Sequence, residues 1–298
     1  MKLLCIGKSG QVAQALVERS ARADVETHCL GRPDLDLLQT RTVARALETT
    51  HPDLVVNAAA YTNVDGAETN REAAFALNGE AAGALAALCA ERDLPLIHLS
   101  TDYVFDGNGD RPWRETDPVR PLNVYGASKL AGEEAVRTHH KSHIILRTAW
   151  VYSPFGKNFV KTMLRLADEN KAATVVDDQI GSPTSAIDIA GTVLHVAKTL
   201  IEHPASDLFG TYHFAASGFA AWADVAALIF ETYETRLGCK IKLQRIPSSD
   251  YPTPAKRPLN SRLNTDKITE TFGVRPPDWK ASVRLTVGRL LDERAQTQ

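Results

Sequence analysis

The sequence predicts an α/β protein built on a doubly wound parallel sheet, and three observations support this class. Short apolar runs alternate with longer stretches of helical periodicity through the first half of the chain. The first run, at residues 2–6, opens into a turn with glycines at positions 7 and 10, and a helical pattern follows at residues 11–22. The second half is less regular and has no linker of biased composition, so we expect a smaller C-terminal region that interleaves with the sheet.

The remaining elements follow from the same periodicities. Further apolar runs of strand length lie at residues 25–30, 53–57, 95–99 and 144–147, and a long Ala- and Leu-rich helix is predicted at residues 73–91. Another helix is predicted to begin after Asn123, whose side chain can cap it. In the second half the patterns predict helices at residues 159–169, 187–202 and 222–235 and strands at residues 174–177, 212–215 and 240–246.

Composition and charge narrow the class of protein. The 298 residues suffice for one large α/β unit, and 34 Lys and Arg against 36 Asp and Glu give a net charge of −2. Because no basic run stands out, we expect neither nucleic acid nor a membrane as a partner. The first apolar run is too short for a signal peptide, and no stretch approaches the length of a membrane span. The cysteines Cys5, Cys29, Cys89 and Cys239 have no C-x-x-C spacing, so we expect free thiols and a cytoplasmic location.

The glycine turn after the first strand predicts a nucleotide site. The spacing Gly7-x-x-Gly10-x-x-Ala13 is a variant of the dinucleotide fingerprint, in which backbone N–H groups at a helix N-terminus meet a pyrophosphate. Such a turn also occurs for purely structural reasons. Its place at the start of a series of strand–helix units favours a nucleotide and a Rossmann-type sheet.

The end of the second predicted strand bears on which dinucleotide binds. A carboxylate there accepts hydrogen bonds from the ribose of NAD, whereas an arginine accommodates the 2′-phosphate of NADP. The sequence at residues 31–34 is Gly-Arg-Pro-Asp, with no carboxylate directly at the strand end. Arg32 therefore favours NADPH and leaves NADH possible, although a solvated loop arginine is the simpler alternative. Asp36 and Leu37, a little further on, are expected to border the adenine.

A phenol and an ammonium group lie one helical turn apart at Tyr125 and Lys129. Residues four apart share one face of a helix, and a nearby cation lowers the pKa of a tyrosine, so the pair predicts a proton donor. The pair alone is weak evidence, because tyrosines and lysines meet at this spacing by chance. Thr101 follows the fourth predicted strand, at the sheet edge where ligands bind, and is a candidate to hydrogen-bond a substrate oxygen.

Several motifs in this order resemble the extended short-chain dehydrogenase/reductase family. They are the N-terminal glycine turn, Asn-Ala-Ala-Ala at residues 57–60, Ser-Thr-Asp-Tyr-Val-Phe at residues 100–105 and the Tyr125/Lys129 pair. Further segments are similar to the branch of the family that reduces nucleotide-linked 4-keto sugars: residues 7–12, 123–126, 129–133, 147–152, 158–159, 178–184, 251–255 and 257–264. The similarity runs the length of the chain.

This resemblance implies a reaction, the NAD(P)H-dependent reduction of the 4-keto group of dTDP-4-dehydro-L-rhamnose to dTDP-L-rhamnose for cell-surface polysaccharides. Tyr125 would donate the proton, Lys129 would lower the pKa of that phenol and hold the nicotinamide ribose, and Thr101 would bond the same substrate oxygen. Asp102 and Trp150 would touch the substrate, although Trp150 fits a core position equally well. The cofactor contacts implied are Gly10, Gln11, Val12, Ala60, Tyr61, Thr62, Leu99 and Lys129.

The resemblance also divides the chain. Residues 1–150 would bind the dinucleotide, and residues 151–298 would mainly bind the nucleotide sugar. Four prolines at residues 247–258 predict a stiffened loop. Arg257 in this loop is a candidate to pair with the diphosphate, since a guanidinium matches phosphate oxygens bidentately. A surface salt bridge is an equal alternative for Arg257.

The sequence departs from the family pattern at an expected metal site. Some relatives carry glutamates that hold Mg²⁺ at a subunit interface, one of them in the first helix. Here residues 13–15 are Ala-Gln-Ala, and Ile187 stands beside Asp188 where a glutamate is expected. Because Mg²⁺ prefers carboxylate oxygens, we expect no metal and a monomer or weak homodimer. His51, His98, His195 and His213 show no metal-ligand spacing and are expected to be structural.

Two other functions stay open at this point. Extended relatives include nucleotide-sugar epimerases and dehydratases, which keep NAD bound; the dehydratases carry an acidic pair after the threonine, whereas Asp102 is followed here by Tyr103. A non-catalytic NADP-binding protein, similar to the regulatory subunit of methionine adenosyltransferase, is the alternative from a different class. The intact set of Thr101, Tyr125 and Lys129 argues against it.

Overall fold

The computed structural model describes residues 1–203 and 206–296 and is built around a parallel sheet. Its strands are β1 (Lys2–Ile6), β2 (Glu26–Leu30), β3 (Leu54–Asn57), β4 (Leu96–Thr101), β5 (His143–Thr148), β6 (Val151–Tyr152), β7 (Ala173–Val176), β8 (Ile180–Gly181), β9 (Thr184–Ser185), β10 (Gly210–His213), β11 (Ala220–Ala221) and β12 (Leu243–Ile246). Six of them form the central sheet in the order β10-β5-β4-β3-β1-β2, all parallel. The predicted doubly wound class is confirmed.

Helices cover both faces of this sheet. They are α1 (Gln11–Ser20), α2 (Thr40–Thr50), α3 (Val64–Thr69), α4 (Arg71–Phe75), α5 (Ala81–Ala90), α6 (Val124–His139), α7 (Phe159–Asp168), α8 (Ala186–Glu202), α9 (Trp222–Leu237), α10 (Asp266–Phe272) and α11 (Trp279–Ala295). Alternate residues of β1 serve the two faces: Leu3 and Cys5 pack with α1 and α8, whereas Leu4 and Ile6 pack with α2 and α5. The strands are apolar on both sides because each side is covered.

The strand order explains where a ligand can bind. The chain steps from β1 to β2 on one side and then returns to β3 on the other side of β1. Two connections therefore leave the carboxyl end of the sheet in opposite directions, and the crevice between them is the usual ligand site of such folds. The glycine turn after β1 and the segment after β3 both border this crevice.

The helix predicted at residues 73–91 is present from Arg71 to Ala90, but it is not a regular α-helix throughout. It consists of α4, a π-helical turn at Ala76–Glu80 and α5. The turn places Asn78 where its side chain bonds the backbone of Tyr61 and the hydroxyl of Ser128. The run Arg71–Ala90 is also the one helical stretch of the described chain that is long and apolar enough to span a membrane, contrary to the sequence expectation, and half of it is buried inside the protein.

The second half contributes one strand to the sheet and builds a separate core. β10 pairs with β5 at the sheet edge, so the chain crosses back after residue 150. Helices α7, α9 and α11 pack together over the small pair β7–β12, with Met163, Ile229 and Val287 in their shared core. Two strand boundaries differ from prediction: β10 begins at Gly210, and β12 begins only at Leu243.

Candidate active site

Helix α6 carries the predicted Tyr125 and Lys129 to the carboxyl end of β4. Asn123 Oδ1 accepts a hydrogen bond from the Gly126 N–H at 2.8 Å, so the helix begins where a capping residue stands. A Cβ at Gly126 would lie 2.2 Å from the Tyr103 carbonyl oxygen, and glycine is therefore what permits this close approach. Thr101 is the last residue of β4, which brings its hydroxyl to the same place.

The Thr101 hydroxyl lies near enough to the Tyr125 phenol to lower its pKa. Thr101 Oγ1 also accepts from the Tyr103 N–H at 3.2 Å and donates to Asp102 Oδ1 at 2.9 Å. The ring of Tyr103 stands edge-on to that of Tyr125, with centroids 5.8 Å apart. The phenol is thus held at a fixed position against the threonine.

The expected lowering of the Tyr125 pKa by Lys129 is not found. Burial raises the pKa of Tyr125 to about 12, and the nearby Thr101 hydroxyl offsets only part of this shift. Desolvation disfavours the phenolate, and the Lys129 amine points elsewhere. The phenol is therefore protonated at neutral pH, as a proton donor must be before it reacts.

Lys129 is directed at the strand beneath the helix. Its Nζ donates to the Leu99 carbonyl oxygen at 2.7 Å and lies 3.4 Å from His98 Nε2. Burial lowers the pKa of Lys129 to about 8, although the Glu133 carboxylate acts in the opposite direction. Its proton is consequently far easier to remove than that of an exposed lysine.

A buried ion pair fixes α6 to the sheet. Glu133, one turn beyond Lys129, accepts two hydrogen bonds from Arg147 on β5, from Nε at 2.8 Å and from Nη2 at 2.7 Å. Ser100 of β4 donates to the same carboxylate at 2.6 Å. The two side chains are 0% and 2% exposed, and Arg147 holds the pKa of Glu133 below its usual value despite burial. We call Glu133–Arg147 the buried pair.

The glycine turn has the features that a pyrophosphate needs. Gly7 has φ of +132°, a backbone conformation that residues with a side chain rarely adopt. Its N–H donates to the Leu30 carbonyl. A Cβ on Gly10 would meet no atom within 4 Å, so open space faces this residue. Gly10 also begins α1 without any side-chain cap, which leaves the first N–H groups of the helix free for an anion. The residues present therefore fit a dinucleotide.

The other predicted cofactor residues lie around the same crevice. Arg32 is exposed after β2, beside an ion pair of Lys8 with Asp34 at 3.0 Å. Leu37 is buried in the core, and the Asp36 side chain accepts from the Leu38 N–H. Gln11 and Val12 stand in the first turn of α1, with the Gln11 amide bonded to Ser153 and Asn158. Ala60, Tyr61 and Thr62 follow β3, and Asn78 holds that segment.

The predicted substrate residues Asp102 and Trp150 have unlike surroundings. Asp102 is buried, and burial raises the pKa of its carboxyl group to about 7. Ser261 is near enough to lower that pKa slightly, yet Oδ2 of Asp102 has no hydrogen-bond partner among the residues described. Trp150 adopts a left-handed backbone with φ of +46° and stacks on Trp222 with ring centroids 3.7 Å apart. One face of the Trp150 indole is therefore occupied by protein.

Arg257 forms the salt bridge that was the alternative to a phosphate contact. It pairs bidentately with Asp65 at the start of α3, from Nη1 at 3.1 Å and Nη2 at 2.9 Å. The two side chains are 22% and 37% exposed. Asp65 also accepts from the Ala255 N–H, and Asn123 donates to the Lys256 carbonyl, so the Pro-rich loop is tied to α3 and α6. We call Asp65–Arg257 the loop pair.

Within residues 1–203 and 206–296 no three His, Cys, Asp or Glu side chains are grouped to hold a metal ion. At the position of the missing glutamates, Asp188 accepts a hydrogen bond from Ser282 at 2.7 Å.

Sequence reasoning missed three residues that organise this site. His98 was assigned a general structural role, yet it lies directly beneath Lys129. Asn78 links the segment after β3 to α6, and Glu133 anchors α6 to β5. His98 and Asn78 could have been noticed in the sequence, because each is a polar residue inside an otherwise apolar strand or helix. Their partners are distant in sequence, so the contacts themselves were not predictable.

The fold and this arrangement define a class, the extended short-chain dehydrogenase/reductases, which are Rossmann-type oxidoreductases. Within it, a family model described as the RmlD substrate binding domain matches residues 1–291. The chain is 49% identical over 293 residues to a dTDP-4-dehydrorhamnose reductase of Sinorhizobium fredii, covering 98% of this chain and 99% of that one. The chain belongs to the RmlD family of dTDP-4-dehydrorhamnose reductases.

Solved structures agree with this assignment. A dTDP-4-dehydrorhamnose reductase from Clostridium acetobutylicum superposes with a TM-score of 0.89 at 34% identity, covering 98% of this chain and all of that one. The enzyme of the same name from Bacillus anthracis, in complex with NADP, has a TM-score of 0.88 at 30% identity over 97% of this chain and 99% of its own. The similarity extends across both halves of the chain.

Proposed function

We propose that this chain reduces the 4-keto group of dTDP-4-dehydro-L-rhamnose to give dTDP-L-rhamnose, with NADPH as the preferred cofactor. The observation that carries the proposal is the position of Tyr125 and Lys129, one turn apart on α6 and against the end of β4 that carries Thr101, with Lys129 Nζ bonded to the Leu99 carbonyl of that strand. Membership of a family whose relatives bear the name dTDP-4-dehydrorhamnose reductase supports the substrate.

Tyr125 is the proton donor in this proposal. Negative charge develops on the ketone oxygen as the carbonyl carbon is reduced, and a positioned acid lowers the energy of that step. The Tyr125 proton goes to this oxygen. Thr101 donates a second hydrogen bond to it, which requires its hydroxyl to turn away from Asp102. Lys129 stabilises the phenolate left behind and holds the nicotinamide ribose.

The dinucleotide occupies the crevice at the glycine turn and supplies the hydride when bound. Gly7, Gly10, Gln11 and Val12 receive its pyrophosphate at the start of α1. Ala60, Tyr61, Thr62 and Leu99 line the nicotinamide side, and Asp36 and Leu37 border the adenine. Arg32 is exposed at the end of β2, where it can pair with a 2′-phosphate, and the NADP complex of the Bacillus anthracis relative supports this choice. NADH is a weaker alternative.

Arg32→Ala tests the cofactor assignment. We expect the KM for NADPH to rise about tenfold, equivalent to about 1.4 kcal/mol, while the KM for NADH changes little. Steady-state kinetics with each cofactor measures this, and Arg22→Ala, at an exposed position beyond α1, is the matched control. Equal changes for both cofactors would contradict a phosphate contact.

The nucleotide sugar lies mainly against residues 151–298, with residues 1–150 holding the cofactor. Asp102 accepts from a sugar hydroxyl, Trp150 contacts the sugar ring, and Arg257 leaves the loop pair to bind the diphosphate. The protein acts in the cytoplasm as a monomer or weak homodimer without bound Mg²⁺. These assignments give each predicted substrate residue a distinct contact.

One assay tests the proposed reaction. The purified chain is mixed with NADPH and dTDP-4-dehydro-L-rhamnose, NADPH consumption is followed by absorbance, and the product is identified against dTDP-L-rhamnose by chromatography. Stoichiometric consumption with formation of that product is the expected result. Isomerised sugar without net NADPH consumption would favour an epimerase, and tight NADP binding without any turnover would favour the non-catalytic alternative.

A further inference from the structure

His98 lies between two side chains that constrain its protons. It is 1% exposed in the middle of β4. Its Nδ1 is 3.1 Å from Asn57 Nδ2 on the neighbouring strand, and its Nε2 is 3.4 Å from Lys129 Nζ on α6. Burial lowers the pKa of His98 well below its usual value, and the positive charge of Lys129 lowers it further. The imidazole is therefore neutral and carries a single N–H.

Asn57 determines which nitrogen carries that proton. Its Oδ1 accepts from the Ala59 N–H at 3.2 Å, so its Nδ2 must face His98 as a donor. His98 Nδ1 then accepts, and the proton resides on Nε2, which points at Lys129. The other tautomer, with the proton on Nδ1, would need the Asn57 oxygen to face His98. Rotating the amide in this way would turn Nδ2 towards the Ala59 N–H, so that two donors would face each other.

This proton assignment has a consequence for Lys129. An ammonium group has three donors and no acceptor, so a Nε2–H aimed at it forms no hydrogen bond. A neutral amine has a lone pair that accepts from Nε2–H, while one of its own N–H groups still donates to the Leu99 carbonyl. Only the neutral amine satisfies Asn57, Ala59 and His98 together.

We infer that His98 is a positioning residue that disfavours the ammonium form of Lys129 in the ligand-free protein, so that this lysine loses a proton closer to neutral pH than an exposed lysine does. The other charged groups around this pair do not remove the constraint. Glu133 on α6 favours the ammonium form of Lys129, whereas Arg137 on α6 and His143 on β5 disfavour positive charge on His98. The inference deepens the proposed function and rests on it, since Lys129 is the group that stabilises the Tyr125 phenolate.

The wild-type protein provides the first test, and it requires no catalysis. In ligand-free protein labelled with ¹⁵N-histidine, we expect the His98 proton on Nε2 at a pH above the Lys129 titration, where the amine is neutral. In protein labelled at the lysine ε-carbon, Lys129 should titrate near pH 8 instead of near the usual value of about 10.4. Its signal is assigned by its loss in Lys129→Met. A proton on Nδ1, or an ordinary titration of Lys129, would overturn the inference.

His98→Gln provides the second test. A glutamine oxygen at the position of Nε2 accepts from an ammonium group, so the Lys129 titration should move up by about one pH unit or more, and the alkaline limb of kcat/KM should move with it. His140→Gln, at a buried histidine that bonds the Leu94 carbonyl, is the control and should shift neither. An unchanged Lys129 titration in folded His98→Gln contradicts the inference. Absence of reductase activity in the wild type would instead contradict the proposed function, and the two titrations would still decide the role of His98.

Discussion

The buried pair and the loop pair have the same chemistry in different surroundings. Each joins a carboxylate to a guanidinium through two hydrogen bonds, but Glu133 and Arg147 are enclosed whereas Asp65 and Arg257 are partly exposed. Breaking a buried pair leaves an uncompensated charge, while an exposed pair contributes about 0–1 kcal/mol because water competes for both partners. The buried pair therefore fixes the helix that carries Tyr125, whereas the loop pair can exchange its partners with water or a ligand.

Tyr125→Phe tests the phenol on the helix that the buried pair anchors. We expect this substitution to have the largest effect on activity. Removing the phenolic hydroxyl removes the proton donor, so kcat should fall about a hundredfold to ten-thousandfold while the NADPH dissociation constant stays within about twofold. Steady-state kinetics and cofactor fluorescence titration measure the two quantities. Tyr233→Phe removes a phenol that bonds Asp168 in the second core, and it should leave kcat unchanged. Near-normal turnover of Tyr125→Phe would refute its assignment.

Glu133→Gln breaks the buried pair directly. The Arg147 guanidinium would stay buried without its carboxylate, which costs about 3–5 kcal/mol of unfolding free energy. Urea denaturation followed by circular dichroism measures this loss. The neighbouring Glu134 is exposed on the same helix, and Glu134→Gln should change stability by less than about 0.5 kcal/mol. Equal losses of unfolding free energy in Glu133→Gln and Glu134→Gln would contradict a special contribution of the buried pair.

Within the described part of the chain, Asp102 is a buried carboxyl group without a cationic partner such as the one that Arg147 provides for Glu133, and this lowers stability at higher pH. Its folded-state pKa of about 7 lies above the usual value of 3.8, so between these two pH values the folded protein retains a proton that the unfolded chain loses. The resulting stabilisation is complete below pH 3.8 and is lost as the pH rises through about 7. Between pH 5 and pH 8, wild type should therefore lose about 1–4 kcal/mol more than Asp102→Asn. Urea unfolding at the two pH values measures this, with Asp110→Asn, at an exposed loop residue, as the control. Parallel losses in wild type and Asp102→Asn would contradict the raised pKa.

Arg257→Gln breaks the loop pair and should have the smallest effect on stability. We expect less than about 1 kcal/mol in unfolding free energy, since both partners are partly solvated. The KM for the nucleotide sugar should rise about tenfold with kcat within about threefold, because a diphosphate contact made equally in the ground and transition states affects binding alone. Arg284→Gln, at an exposed arginine of α11 paired with Glu231, provides the control for the change in charge. An unchanged KM would make the loop pair purely structural.

Local patterns carried most of the prediction from sequence. The six strands of the central sheet were visible as apolar runs, whereas the two-residue strands were not. The start of α6 was visible because Asn123 caps it and because Tyr125 and Lys129 share one helical face. What failed depended on contacts between distant residues. The Tyr125 pKa was expected to fall, but its burial was not encoded in the neighbouring residues.

Two further features lay beyond sequence reasoning for the same reason. The π-helical turn follows from the bonds that Asn78 makes to Tyr61 and Ser128, 17 and 50 residues away. The loop pair joins residues 192 positions apart. The sequence allows Arg257 either a diphosphate contact or a surface salt bridge. The position of Asp65 shows that the salt bridge is the contact in the ligand-free protein.

The late entry of β10 into the sheet has a consequence for synthesis on the ribosome. β5 is complete at Thr148, but its outer neighbour is Gly210–His213. A nascent chain halted between these points exposes the backbone donors and acceptors of β5 along an open edge, where a second nascent chain can pair. Slow codons in this interval should therefore raise aggregation more than slow codons placed after His213.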